Sequence, residues 1–268
     1  MCIDQTVLYS FPAILFVMWL RLGTRDHVSN KEANTDIERS AVDCSSSSRG
    51  LFLGIIVFVA AVIILITFFV LVKTDQFLET AVRLNHLGDL SLLVLTTIAV
   101  ILVFYRTYGL RYRDNDKGPG FEDALLVISL LGVYLMCISN IMAALLTIGK
   151  LCTHLVILSY AMRLVQATLQ TVYLLCTMRR RVWRREQAEK KSGREFLTFL
   201  LICNIAFWGM NIFEVQMSEA NPLQAEFYGH VTWSIITHAS LPFSILFRFL
   251  STVCLANIWK HAWRMNAT

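Results

Sequence analysis

Long apolar runs separated by short polar connections dominate this sequence. A membrane-spanning helix needs about 20 apolar residues at a rise of about 1.5 Å per residue, whereas a barrel strand needs only about 10. Because the runs are far longer than barrel strands, the pattern predicts an all-α fold, a polytopic transmembrane helix bundle of about seven segments. The runs cover residues 7–20, 51–72, 87–105, 123–148, 151–178, 196–213 and 231–256.

The first run differs from the other six. It is short, carries Pro12, and lacks the basic region and small-residue cleavage site of a signal peptide. We therefore interpret residues 1–20 as a truncated or altered transmembrane helix. Residues 21–50 are polar and of mixed charge, which predicts a disordered cytoplasmic loop. The predicted remainder is a six-helix transmembrane domain over 51–256 and a cytoplasmic tail over 257–268.

Basic residues alternate in number from one connection to the next. Nineteen Lys and Arg lie in the first, third and fifth connections and the C-terminal tail, against three in the others. The positive-inside rule places the richer side in the cytoplasm. We therefore expect a cytoplasmic C-terminus, and we also expect this multi-pass protein to reside in the plasma membrane. The dense run Arg179–Arg185 is typical of a juxtamembrane anchor, and we expect no nucleic-acid partner.

Composition supports the membrane assignment and narrows the chemistry. Charged residues make up 16% of the chain, against about a quarter in soluble domains. Five of the seven cysteines lie inside apolar runs, which indicates small buried residues and no disulfide or metal framework. The sequence has no P-loop, dinucleotide fingerprint, HExxH or CxxC motif. We therefore expect no enzyme activity, catalytic residue, cofactor or bound metal.

Polar residues inside the fifth run follow a helical period. Six of them are spaced 4, 3, 4, 3 and 4 residues apart, so they share one helix face. Arg163 lies near the middle, where an arginine facing lipid costs at least about 2.5 kcal/mol. The face must therefore either make polar contacts with another helix or line a hydrated path. For the whole set of six residues we favour the hydrated path. These residues are Ser159, Arg163, Gln166, Gln170, Tyr173 and Thr177.

The last two runs add further candidates. Asn204 lies inside the sixth run, and Glu214 ends it before an outer loop that has glutamates but no Lys or Arg. Pro242 interrupts the seventh run, and Arg248 lies deeper in it. We interpret His238 as the one intramembrane side chain with a near-neutral unperturbed pKa, although a lone histidine is more often a packing residue. Two carboxylates at run ends are interpreted as interfacial, namely Asp89 and Asp123.

From residue 193 onward the sequence resembles the last two helices of otopetrins, a family of proton-selective channels. The matching stretches are GREFLTFLL at 193–201, NIFE at 211–214, FYG at 227–229, LPF at 241–243 and FRF at 247–249. Upstream, Gln166 and Gln170 resemble the glutamine-rich tenth helix of the family. The likeness is to the C-terminal half of an arthropod-like otopetrin. It covers most of the chain, and its last third most strongly.

The resemblance implies a homodimer whose subunits have twelve helices in two six-helix domains. This chain then holds the second domain, and we expect a fragment or an incomplete gene model that lacks the first. In the family, Asn, Gln and Tyr side chains meet at the interface between the two domains. Their counterparts here are Gln166, Gln170, Asn204 and Tyr9. Many members carry Asn at the position of His238 and His at that of Leu250, and both departures bear on pH dependence.

We therefore expect a proton-selective channel, or half of one, that moves protons through hydrated polar helix interiors. Amides cannot lose a proton at physiological pH, but they order water, with which His238 and Glu214 exchange protons. The expected partners are protons, the lipid bilayer, a second copy and the missing N-terminal domain. The candidate path or interface residues are Gln166, Gln170, Asn204, His238, Glu214, Arg163, Arg248 and Tyr9.

A seven-helix receptor of the G-protein-coupled type is the alternative. Such a receptor needs an acidic-Arg-aromatic triplet at the end of its third helix and Asn-Pro-x-x-Tyr in its seventh. Here the third run ends FYRTY at 104–108, and the seventh has no Asn-Pro pair. An intramembrane enzyme is a third possibility, but no Ser/His, paired-Asp or metal-ligand set lies on the runs.

Overall fold

The structure, a computed structural model, describes residues 47–112, 120–146, 153–220, 224 and 227–263. Helices dominate this part of the chain, which confirms the all-α prediction. The predicted first segment and Tyr9 lie outside the described residues. The helices are α1 (Ser48–Leu71), α2 (Leu78–Thr107), α3 (Phe121–Leu146), α4 (Thr153–Thr177), α5 (Arg185–Lys190), α6 (Arg194–Ala220) and α7 (His230–His261).

Six of these helices are long and apolar enough to cross a membrane, and α5 is a short surface helix. The chain is therefore a multi-pass membrane protein. Each predicted run from the second to the seventh corresponds to one long helix. Their bounds agree within about three residues at most ends, because apolar composition marks the part of a helix that lies in lipid.

One end of the bundle gathers most of the arginines in the described part of the chain, and we call it the basic end. A short antiparallel ladder lies there, formed by β1 (Arg111–Tyr112) after α2 and β2 (Arg180–Arg181) after α4. The end of α4 is tied to the end of α7 by the hydrogen bond from Val182 N to Ala262 O, 3.0 Å. Asp123 at the start of α3 forms an ion pair with Arg179 after α4.

Helix α2 begins nine residues before the predicted run, and this corrects two interpretations. Its first turns carry Glu79 and Arg83, an exposed ion pair that lowers local hydropathy without breaking the helix. Asp89 is therefore the twelfth residue of a 30-residue helix and is 4% exposed, so it is not a residue of the helix end. His86 is 6% exposed in the same helix, so His238 is not the one histidine inside a spanning segment.

Small residues set the closest helix contacts. Helix α1 presents apolar side chains outward and buries chiefly Gly50, Gly54 and Ala61, so it lies at the edge of the bundle. At the contact of α3 with α7, Gly132 packs against Phe243 so closely that even a Cβ atom would collide. Small residues serve this purpose in membranes because helices associate there by close packing and not by escape from water.

Candidate functional site

The polar face of α4 is buried inside the bundle. Gln166 and Gln170 are fully buried, as is Tyr173, and Ser159 and Thr177 are 1% and 2% exposed. Helix α4 packs against α2, α3 and α7, so this face meets other helices of the same bundle. The resemblance implied an interface with another domain for the two glutamines. Neighbouring helices of this domain enclose both side chains, and the interface with another domain stays a prediction.

Four buried side chains from three helices form a continuous set of hydrogen bonds, which we call the amide chain. It consists of Arg248, Gln166, Gln170 and Asn204. Arg248 Nη1 donates to Gln166 Oε1 at 2.9 Å, and Gln166 Nε2 donates to Gln170 Oε1 at 2.7 Å. Gln170 Nε2 donates to Asn204 Oδ1 at 2.8 Å, and Asn204 Nδ2 reaches Gln170 Oε1 at 3.3 Å. The structure therefore brings together four of the eight predicted site residues.

The guanidinium of Arg248 is accommodated by polar and aromatic contacts. It is 2% exposed, and its central carbon lies 4.2 Å above the Phe207 ring and 5.4 Å from the Phe247 ring. Aromatic faces attract cations most strongly where water is excluded. Together with the bond to Gln166, these contacts hold a positive charge in the interior of the bundle.

A cavity of about 10 Å³ adjoins the amide chain, close to the room that one water needs. Two guanidinium groups, of Arg163 and Arg248, line it together with Asn211 and Ser244. Arg163 is therefore near the amide chain although it is bonded elsewhere. The cavity therefore adjoins both the amide chain, through Arg248, and the ion pair that Arg163 forms with Asp89.

Toward the end opposite the basic end, polar side chains of α2 and α4 form a second set of contacts, which we call the α2–α4 cluster. It consists of His86, Asp89, Ser159 and Arg163. Arg163 Nη2 donates to Asp89 Oδ2 at 2.8 Å. One turn away on both helices, His86 Nδ1 lies 3.1 Å from Ser159 Oγ. Sequence reasoning missed His86 and gave Asp89 no partner. The spacing of three residues between His86 and Asp89 was the available signal, and the late predicted start of α2 concealed it.

The end of the bundle opposite the basic end is capped by a third set of polar contacts. Gln224 Nε2 donates to Asn140 Oδ1 at 2.8 Å, and the Tyr228 hydroxyl donates to Ser139 O at 3.0 Å. Tyr228 stacks on Trp233 with ring centroids 6.0 Å apart. Burial raises the pKa of Tyr228, so its hydroxyl stays a donor well into alkaline solution.

The remaining predicted site residues lie elsewhere. His238 is exposed on the surface of α7 and does not join the amide chain. Pro242, one turn further on, removes the helical donor for the His238 carbonyl. The side chain of Glu214 and the whole of Tyr9 lie outside the described part of the chain. Among the described residues, no group of three His, Cys, Asp or Glu could hold a metal ion.

Comparison with known proteins identifies the relatives of this chain. The family model described as Otopetrin matches residues 5–249. A Drosophila melanogaster protein named proton channel OtopLc is 34% identical over 98% of this chain, which spans 17% of that protein. A Danio rerio protein named proton channel OTOP1 is 21% identical over 92% of this chain, which spans 53% of it. The chain thus spans about half or less of these relatives, and the matches do not support the receptor alternative.

Proposed function

Since this chain belongs to the otopetrin family, we propose that it forms the C-terminal six-helix part of a proton-selective channel. The amide chain is the observation that supports this function. It places hydrogen-bond donors and acceptors one after another in the interior of the bundle. Polar side chains inside a membrane cost free energy, so their presence there indicates a role in helix packing or in transport. We propose no covalent chemistry, because the relatives bear the name of proton channels.

We propose that the amides act by ordering water. The Gln166, Gln170 and Asn204 side chains stay neutral at physiological pH, so none of them can itself carry an excess proton. Each can donate to one water and accept from another, which is the arrangement a hydrogen-bonded relay needs.

The described conformation is consistent with a closed path. Gln170 and Asn204 bond to each other directly, and the cavity beside Arg248, at the other end of the amide chain, has room for about one water. A continuous water file therefore requires these two amides to separate. We propose that the separation of Gln170 from Asn204 is the opening step and that water then bridges them.

Other groups complete the proposal. We propose that Asp89 and His86 exchange protons with the path, because they lie on α2 beside the α4 face.

His238 and Glu214 remain hypotheses for proton exchange near the end opposite the basic end, where His238 needs a further protein surface to cover it. A second copy and an N-terminal domain, as the resemblance implies, are the proposed sources of such a surface. We also propose residence in the plasma membrane with a cytoplasmic C-terminus.

A chimera tests the proposal. The segment of Drosophila OtopLc that aligns with this chain is replaced by this chain, and acid-evoked current is measured in cells without endogenous otopetrins. We expect Gln170→Leu to abolish most of the current at equal surface expression, because it removes two of the three links of the amide chain, those to Gln166 and to Asn204. The matched control is Thr171→Val, a buried neighbour that bonds only its own helix at Ala167 O. Equal currents from the parent chimera and Gln170→Leu would show that protons pass elsewhere.

A further inference from the structure

The basic end carries a cavity of about 230 Å³ that the polar interior does not use. It lies between the end of α2, the short helix α5 and the residues that follow α7. One water needs only about 10–15 Å³ measured in this way, so the space is large enough for a ring-sized group. The cavity is lined chiefly by Arg106, Gly109, Arg184, Glu186, Gln187 and Trp263.

Arg106 and Arg184 bring two guanidinium groups to the lining against the one carboxylate of Glu186, so the lining carries a net positive charge. Arg184 lies 4.2 Å over the ring of Trp183, which restricts its orientation. Gly193 adopts φ +88, and a Cβ there would lie 2.9 Å from Arg106 Cβ, so a glycine permits the close passage of the backbone beside Arg106. Guanidinium groups bind phosphate oxygens in pairs of charge-assisted hydrogen bonds. The cavity therefore suits a phosphate-bearing ligand.

Gln187 adds a second requirement. Its Nε2 donates to Gly109 O at 3.4 Å, while its Oε1 is buried and has no hydrogen-bond partner among the described residues. A buried acceptor without a donor is unfavourable, and a phosphate brings no donor at neutral pH beyond its weakly acidic proton. A hydroxyl does bring one. The lining thus fits a ligand that carries phosphate and hydroxyl groups together.

The position of the cavity indicates a lipid as the source of such a ligand. Tyr108 and Trp183 are 71% and 50% exposed beside it, as is typical of aromatic side chains at the headgroup level. The positive-inside rule predicts that this end faces the cytoplasm, whose leaflet holds the phosphorylated inositol lipids. We propose that this cavity binds the headgroup of an inositol phospholipid.

Binding by the purified full chain in detergent tests this site. A short-chain phosphatidylinositol bisphosphate with a fluorescent label is titrated and followed by anisotropy. Because each guanidinium contributes a charge-assisted bond, we expect the double variant Arg106→Gln/Arg184→Gln to weaken binding about tenfold or more. The control, Arg49→Gln/Arg111→Gln, removes two exposed arginines that do not line the cavity, and we expect less than about a twofold change. Equal losses in the two double variants would mean a diffuse basic surface and would overturn the proposal.

Two further arms identify the ligand. We expect Gln187→Leu to reduce the preference for the inositol lipid over phosphatidylglycerol of matched charge, while binding to anionic vesicles persists. An unchanged preference, with unfolding temperature also unchanged, would contradict recognition of the hydroxyls. Free inositol trisphosphate should compete more weakly than the lipid does. Equal competition would overturn the assignment to a lipid, because a soluble inositol phosphate would then suffice.

Discussion

Gln170 holds the amide chain together because its oxygen accepts from Gln166 and its nitrogen donates to Asn204. In the α2–α4 cluster, the ion pair of Arg163 with Asp89 likewise joins side chains of different helices. The helical spacing of α4 predicted that Gln166, Gln170 and Arg163 share one face. It could not predict the partner of Arg163, since Asp89 lies 74 residues away and the sequence alone says nothing of which helices pack together.

The ion pair of Arg163 yields a prediction at this scale. Asp89→Asn removes the carboxylate from a guanidinium that is 13% exposed, and we expect a loss of about 3 kcal/mol in unfolding free energy. The control is Glu79→Gln, which breaks an ion pair about half exposed on the same helix and should cost less than about 1 kcal/mol. Thermal unfolding in detergent measures both. If both variants lose the same stability, burial does not strengthen the Asp89 pair.

At the scale of the element, apolar runs predicted six long helices and failed at the ends that carry charge. Helix α2 shows the reason, because Glu79, Arg83 and His86 lower hydropathy although the helix continues through them. Helix α5 and the β1–β2 ladder were not predicted. They are too short for a periodic signal, and their conformation depends on the neighbouring helix ends to which they bond.

The contact of α3 with α7 yields a prediction at the element scale. Gly132→Ala places a Cβ against the Cβ and ring of Phe243, which cannot move without displacing a helix. We expect a loss of about 1–3 kcal/mol in unfolding free energy, as for overpacked interiors. Gly209→Ala in α6 is the matched control, since nothing lies within 4 Å of its added Cβ. Equal melting temperatures for the parent and Gly132→Ala would show that α3 and α7 can separate without cost.

For the molecule as a whole, the asymmetry of basic residues predicts the orientation of the bundle in the membrane. Labelling tests it in a background without reactive cysteines. His230→Cys and Glu186→Cys lie at exposed positions at opposite ends of the bundle. An impermeant thiol reagent should label position 230 in intact cells and position 186 only after permeabilisation, because basic loops remain in the cytoplasm. Labelling of position 186 in intact cells would reverse the assigned orientation.

The direct hydrogen bonds of the amide chain predict how this chain behaves when it is the only protein in a membrane. Its amides pair within one bundle, so we expect the chain to fold without further domains, and in the path proposed above Gln170 and Asn204 bond directly. We expect no continuous file of water to pass these two side chains while they are bonded to each other.

We therefore expect liposomes that contain only this chain to hold a pH gradient as long as empty liposomes do, measured with an internal pH-sensitive dye. A protonophore added at the end confirms that a gradient was present, and protease protection confirms insertion of the chain. Faster decay than in empty liposomes that Gln170→Leu suppresses would show that the six-helix unit opens and conducts alone. Faster decay that Gln170→Leu leaves unchanged would place the proton path outside the amide chain.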